Sequence, residues 1–275
     1  MLLWPKRPVT VSWNTAMLDS TRTCINSGGS LSVIRLPVVP QLDAELILNE
    51  VDCGPLQVWR ARPGEIFTVT DPEGSNYRAR VVACETDRAV LIPFATCSHN
   101  ESFLHLEVYQ AIPERERFEL ILQKLTELGV ARIVPFTSQR SISQQERDAG
   151  QKKSHRWPDV LLRAARQCRR TTVPELGATL DWSACLQQAA QAELTLLLYE
   201  GQDRWAFHET VKKFRGQRVA LIVGPEGGFT TGEVEQARQL GVLPVGLGPR
   251  LLRTETAAIT GAALVQYQLG DLGEG

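Results

Sequence analysis

The sequence has no excess of either charge. Lys and Arg number 30 and Asp and Glu 31, giving a formal net charge of −1, so global charge points to no nucleic-acid partner. Metal spacing is absent too. Cys24, Cys53, Cys84, Cys97, Cys168 and Cys185 form no C-x-x-C pair, and His99, His105, His155 and His208 supply no ligand spacing, so no metal site is expected. Scattered thiols fit a reducing cytosol, and a cytoplasmic protein is expected. No apolar run approaches the roughly 18 residues of a membrane helix, so no membrane association is expected. Phosphate-loop and dinucleotide fingerprints are missing: there is no G-x-x-x-x-G-K-[ST], and "GLGPRL" at 246–251 has two of the three glycines a dinucleotide site requires.

Residues 1–30 hold one acidic residue, many Ser and Thr, and no compact apolar segment of the secretory kind. A disordered extension or a misplaced start is expected there, with a weak targeting peptide as the alternative.

What remains is an ordinary globular chain of 275 residues, 43% hydrophobic and 22% charged, long enough for one large or two modest domains. From residue 31 to about 95, short apolar runs alternate with turn chemistry. "VIRLPVV", "LQVWR", "EIFTVT", "YRARVVAC" and "AVLIPF" are expected as strands of a small β-barrel-like domain. After Asn100 the pattern becomes strand–helix alternation, which predicts α/β. Phe118, Ile121, Leu122, Leu125 and Leu128 recur at helical spacing before Gly129. "LTLLLYE" and "VALIVG" are continuous apolar runs, as in parallel strands covered on both faces.

Three stretches carry chemistry. The run "LIVGPEGGFTTGEVE" drives an apolar strand into Gly224, Pro225, Glu226, Gly227 and Gly228. Glycine lets backbone approach a ligand, and α/β proteins bind ligands beyond the carboxyl ends of their strands. Thr230 and Glu233 make a T-x-x-E capping box. In "GLGPRLLRTETAAITGAAL", Arg250, Arg253 and Glu255 cluster where a loop meets a helix, with Thr254 expected as N-cap. The small residues Ala257, Ala258, Gly261, Ala262 and Ala263 predict close packing of that helix, within the chain or against another subunit. Between Arg147 and Arg170, eight Lys or Arg face only Asp148 and Asp159. Arg163, Arg166 and Arg170 fall at helical spacing, which predicts one basic face toward a polyanion such as RNA. Between residues 31 and 100, six Arg face nine acids, so that region is not basic.

These stretches, with "LQKLTELGVARIVPF" and "RAARQCRRTTVP", together resemble the RsmE-type 16S rRNA (uracil-N3)-methyltransferases of the SPOUT class. The resemblance implies an N-terminal PUA-like β-barrel at 31–97 that binds RNA. It implies a SPOUT α/β domain at 98–275 with a deep trefoil knot. It also implies S-adenosylmethionine as cofactor, 16S rRNA of the small ribosomal subunit as partner, and a homodimer. Carried onto matching positions, the cofactor loops are Gly224, Pro225, Glu226, Gly227 and Gly228, then Leu247, Gly248, Leu251, Leu252 and Arg253. For transfer to N3, Arg253 is expected to stabilise negative charge on the uracil, Glu226 to act as base or to fix the loop, and Glu255 to orient Arg253; the alternative is an inactive rRNA-binding assembly factor or a knotted methyltransferase acting on another RNA. Arg35, Arg60, Arg163, Arg166, Gln167 and Arg170 are expected at the RNA, and Lys124 and Glu127 match a K-x-x-E-L-G motif. The chain departs from the family pattern at Gly54-Pro55, Arg169 and Thr172.

Overall fold

The computed structural model describes residues 29–113, 117–142 and 156–273. The N-terminal stretch through residue 28, and Arg147, Asp148, Lys152 and Lys153 of the basic stretch, lie outside the described residues.

Turn chemistry organises the first sheet. Strands β1 (Leu46–Asn49), β2 (Ile66–Thr70), β3 (Asn76–Cys84) and β4 (Arg88–Cys97) pair antiparallel in the order β1-β4-β3-β2. The β2–β3 turn is held by Asp71, whose Oδ1 accepts from the backbone N–H of Glu73 and of Ser75, both at 2.9 Å. Its Oδ2 accepts from the Tyr77 hydroxyl at 3.0 Å. This is an Asx turn that fixes the register.

Two runs expected as strands behave otherwise. "LQVWR" lies mostly in helix α1 (Glu50–Val58). Cys53, Leu56 and Trp59 are buried three residues apart, a helical spacing that outweighs the alternation of Leu56, Gln57 and Val58. "VIRLPVV" makes only an isolated bridge, Arg35 to Thr70. Pro37 and Pro40 have no N–H to extend a ladder. The Trp59 indole donates to the Ser32 carbonyl at 2.6 Å and its ring sits 5.6 Å from Phe67.

The second sheet is parallel throughout. It comprises β5 (His105–Ala111), β6 (Arg132–Thr137), β7 (Glu175–Leu176), β8 (Leu180–Asp181), β9 (Leu194–Leu198), β10 (Trp205–Ala206), β11 (Arg218–Val223) and β12 (Leu243–Gly246). The order is β10-β12-β9-β11-β5-β6-β7, with β8 also on β6. All of β9 is buried, and so is β11 beyond Arg218, as for strands covered on both faces. Helices α2 (Arg117–Glu127), α3 (Trp157–Gln167) and α7 (Thr254–Leu269) share one core with Leu106, Val108, Leu196, Leu221 and Val223. Helices α4 (Trp182–Ala189) and α6 (Thr231–Gln239) cover Tyr109, Val134, Phe136, Leu197 and Ile222 on the opposite face. Short α5 (Phe207–Val211) follows β10.

The small residues of α7 serve this packing. Ala258 and Ala262 are fully buried, and a side chain at Gly261 would meet Leu198 at 2.9 Å and Leu221 at 3.1 Å. The first core continues without a break into Ile34, Leu48, Leu56 and Trp59, so the two sheets meet through apolar contact. Among the described residues no helix is long and apolar enough to cross a membrane.

Candidate active site

Three strands end side by side, and their trailing loops enclose a cleft. Beyond β9 come Tyr199 and Glu200, beyond β11 Gly224 to Gly228, and beyond β12 Leu247 to Arg253. Two adjoining hollows, of about 290 Å³ and about 220 Å³, share Leu198, Glu200, Leu251, Leu252 and Ala257 in their walls. Together they fall within the roughly 300–1,000 Å³ of small-molecule sites.

The glycine-rich loop is tight for stated reasons. The Gly228 N–H donates to Pro225 O at 3.0 Å, with Gly228 at φ 65°. A Cβ there would stand 2.5 Å from Glu200 Oε1, which can swing aside, so it is the left-handed conformation that demands glycine. Two residues later Thr230 caps helix α6 in the expected capping box, Thr230 and Glu233 each bonding the other's backbone N–H. Glu233 also accepts from Gln139 N–H at 2.8 Å, tying the loop after β6 to this turn.

The second loop is held from beneath by Arg204. Its guanidinium donates to the carbonyls of Glu200, of Gly201 at 2.7 Å and of Gly248 at 3.2 Å. Gly248 has φ 127° with nothing within 4 Å of its Cβ position, so its backbone is open to a ligand. Thr254 is not the N-cap. Arg253 takes that position with extended backbone, and Thr254 is the first helical residue. The Thr254 hydroxyl is drawn inward instead, donating to Gly224 O at 2.6 Å and accepting from Gln110 Nε2 at 3.1 Å. One buried side chain thus joins the two loops.

The charges distribute unevenly. Glu226 accepts from Arg117 Nη1 at 2.8 Å, and Glu255 Oε2 lies 4.0 Å from Arg117 Nε. Glu255 therefore faces Arg117 rather than Arg253, which corrects the expected orienting role. Arg253 lines the cleft, is exposed, and makes no side-chain hydrogen bond or ion pair among the described residues. All ten expected cofactor residues except Gly227 line one or both hollows. Gly227 lies next to them, its carbonyl held by Arg140 Nη1 at 2.9 Å.

Sequence reasoning missed Arg117, Tyr199, Glu200 and Arg204, and gave Thr254 only a capping role. Glu200 was findable, since it follows an apolar strand as Glu226 does. Arg117 is hidden in the charge-dense "ERERFEL".

The expected RNA residues do not form one group. Arg60 pairs with Asp159 at 2.7 Å, and Arg163 Nε donates to the Asp159 carbonyl at 3.2 Å. Arg166 bonds Glu65 and the Arg60 carbonyl, each at 3.2 Å, with its guanidinium 5.4 Å from the Phe67 ring centre. Gln167 is exposed at the end of α3, and Arg35 is exposed beside a separate apolar hollow of about 550 Å³. Lys124 pairs with Glu127 at 2.9 Å on α2.

Arg170 is a correction. It is 6% exposed, and its guanidinium donates to Glu101, to the carbonyls of Thr126 and Val130, and to Thr172 Oγ1. Burial pushes the Glu101 carboxyl up, but the Arg170 charge and the bonds from Arg170 and Thr172 outweigh it, leaving it below the ordinary value. Arg170 is a structural cation with no donor left for RNA.

Comparisons with known proteins agree with this geometry. Residues 100–266 match the family described as RNA methyltransferase domain. A Bacillus subtilis protein named ribosomal RNA small subunit methyltransferase E is 29% identical over 220 residues, 78% of this chain and 86% of that one. A methyltransferase structure from Legionella pneumophila with bound S-adenosylmethionine is 32% identical, covers 87% of this chain and 98% of its own, and superposes with a TM-score of 0.63. A small-subunit methyltransferase E from Neisseria gonorrhoeae, bound to S-adenosylmethionine, is 30% identical over 86% of this chain and 97% of its own, with a TM-score of 0.62. With the matched domain spanning the whole three-loop cleft, the chain belongs to the RNA methyltransferase family, among the ribosomal RNA small subunit methyltransferases E.

Proposed function

We propose that the chain methylates N3 of a uridine in the decoding region of 16S rRNA, using S-adenosylmethionine. The coarser activity, cofactor-dependent rRNA methylation, rests on family membership and on two relatives solved with that cofactor. The observation that carries the site reading is the cleft, with open backbone at Gly248 and an unpartnered cation, Arg253, on its rim.

The residues fit the cofactor. Apolar Leu198, Val245, Leu252 and Ala257 offer a surface for a purine ring, and the strand-end backbone and Glu200 offer hydrogen-bond partners. Gly224, Pro225, Glu226, Gly227, Gly228, Leu247, Gly248, Leu251, Leu252 and Arg253 are the proposed binding residues. When bound, S-adenosylmethionine supplies a methyl group on a positively charged sulfur. The protein's task is alignment and an available lone pair on nitrogen. Neutral uracil carries a proton at N3, and its loss places negative charge on O2 and O4. Arg253, exposed at the rim and free of internal pairing, stabilises that charge. Glu226 and Glu255 hold Arg117, and with it the glycine-rich loop and the start of α7.

In the same reading, residues 31–97 form a PUA-like RNA-binding domain after an extension at 1–30, and residues 98–275 form a knotted SPOUT domain. The insertion of β11 between β5 and β9, and the return of α7 onto β5 and β11, support such threading. The enzyme acts as a homodimer; Leu251 in the cleft wall, at 81% exposure, and Tyr267 on α7, at 66%, offer apolar surface. It works in the cytoplasm, consistent with the free thiols of Cys53, Cys84, Cys97, Cys168 and Cys185. Arg35, Arg60, Arg163 and Gln167 remain proposed RNA-side residues.

The test is methyl transfer to 16S rRNA from a deletion strain, as free RNA and as small subunits. Mapping should find N3-methyluridine in the decoding region. Transfer to another atom, or unchanged modification in the deletion strain, overturns the assignment.

A further inference from the structure

Away from the cofactor cleft, the seam between the first sheet and α3 holds a hollow of about 440 Å³. Arg60, Arg62, Arg156, Arg163 and Arg166 line it, with Asp159 the one carboxylate in the wall among the described residues. Five guanidiniums round one hollow create a positive potential that attracts a polyanion.

The internal pairings are incomplete. Asp159 takes Arg60, and Glu65, beneath the hollow, takes Arg166. Three of the five positive charges have no carboxylate among the described residues. Arg62 and Arg156 are exposed and make no side-chain hydrogen bond or ion pair among the described residues. Arg166 feels the crowding: burial lowers its pKa, Glu65 raises it, and the charges of Arg62 and Arg60 lower it again.

The backbone is committed to this arrangement. Arg60 has φ 49°, in the left-handed region where glycine is usual after a helix. That turn puts the Arg60 carbonyl 3.2 Å from Arg166 Nη2, while its side chain reaches Asp159 on α3. A non-glycine residue held there joins α1 to α3 and forms the floor of the hollow.

We propose that this hollow is a phosphodiester socket that grips the rRNA backbone between the N-terminal sheet and the methyltransferase sheet. Arg62 and Arg156 are its phosphate ligands, because the guanidinium fork matches phosphate oxygens and these two forks are uncommitted. Arg60 and Arg163 border it. Arg166 changes role: packed on Phe67 and bonded to Glu65, it supports the socket rather than contacting RNA. The proposal rests on the rRNA reading above and adds to it where the backbone is held.

The test measures binding of full-length chain to 16S rRNA from the deletion strain between 50 and 300 mM KCl. Each phosphate contact contributes roughly 0.7 to 0.9 to the slope of log affinity against log salt. Arg62→Ala/Arg156→Ala should lower that slope by roughly 1.4 to 1.8 and weaken binding about tenfold at 150 mM. Cofactor affinity and melting temperature should stay unchanged, and Arg62→Lys/Arg156→Lys should recover part of the slope. An unchanged slope in the alanine variant, with wild type active on rRNA, overturns the socket alone. Wild type that neither binds S-adenosylmethionine nor methylates small-subunit rRNA overturns the enzymatic reading instead. Loss of binding to polyglutamate but not to rRNA would assign the hollow to an acidic protein and overturn the socket.

Discussion

Replacing Arg170 by Ala separates a structural cation from an RNA contact. Its side chain is 5% exposed and that of Glu101 14%, with Nη2 2.7 Å from Glu101 Oε2 and Nε 3.0 Å from the same oxygen. Removing Arg170 leaves Glu101 with only the donors of Thr171 and Thr172. It also strips a donor from the carbonyls of Thr126 and Val130. Breaking a buried pair from one side costs about 3–5 kcal/mol. At roughly 2–4 °C per kcal/mol for a domain of this size, the melting temperature should fall by about 6–20 °C. Calorimetry at neutral pH measures it. The pH dependence follows from the lowered Glu101 value. A carboxyl lowered on folding contributes stability above its unfolded value, about 4.3. That contribution is lost as pH falls through the lower folded value. In Arg170→Ala, burial acts without the opposing guanidinium, so the Glu101 contribution shrinks and the loss of stability on acidification should be shallower than in wild type. A variant that melts within about 2 °C of wild type, yet binds rRNA with a reduced salt slope, would refute the reasoning and return Arg170 to the RNA.

Three further outcomes test the cleft. Arg253→Ala should cut methyl transfer by about 10²–10³ with cofactor affinity within a few-fold, read by single-turnover transfer and calorimetric titration; turnover near wild type would remove its charge-stabilising role. Gly228→Ala, with a Cβ 2.5 Å from Glu200 Oε1 and φ 65°, should weaken cofactor binding by about 5- to 30-fold, the equivalent of the 1–2 kcal/mol of left-handed strain; unchanged affinity would show that the loop relaxes freely. Arg117→Ala and Glu226→Gln should each weaken cofactor binding while their double variant is little worse than either, a coupling of about 1 kcal/mol in a double-mutant cycle; fully additive losses would show that the pair does not hold the loop.

Local pattern carried much of this architecture into the sequence. Phe118, Ile121, Leu122 and Leu125 mark the buried face of α2, and Thr230 with Glu233 marks the start of α6. Both signals lie within two helical turns, where neighbouring residues decide the outcome. Helix α1 misled because Gly54 and Pro55 resemble a break and Leu56-Gln57-Val58 resembles alternation, while the helix there is held by burial of Cys53, Leu56 and Trp59. The placement of β11 between β5 and β9 has no local signal. Val108 pairs with Leu221, more than a hundred residues later, and only the packed sheet expresses that choice.

The basic helix shows the same limit at the scale of one side chain. Arg163, Arg166 and Arg170 are spaced for one helical face, but that spacing holds only while the helix continues. Helix α3 ends at Gln167, Cys168 caps it, and Arg169 turns left-handed at φ 63°. The turn carries Arg170 off the solvent face and into the gap between Glu101 and the end of α2, where the Glu101 charge and the carbonyls of Thr126 and Val130 receive it. Meanwhile Arg62 and Arg156, which no spacing connects, meet at the hollow because Arg60 turns the chain there and Asp159 anchors it. Which arginines face RNA therefore depends on where α1 and α3 stop. A chain-termination event sets the charge pattern of the surface, so moving the end of α3 by one turn would redistribute cations that a periodic reading treats as fixed.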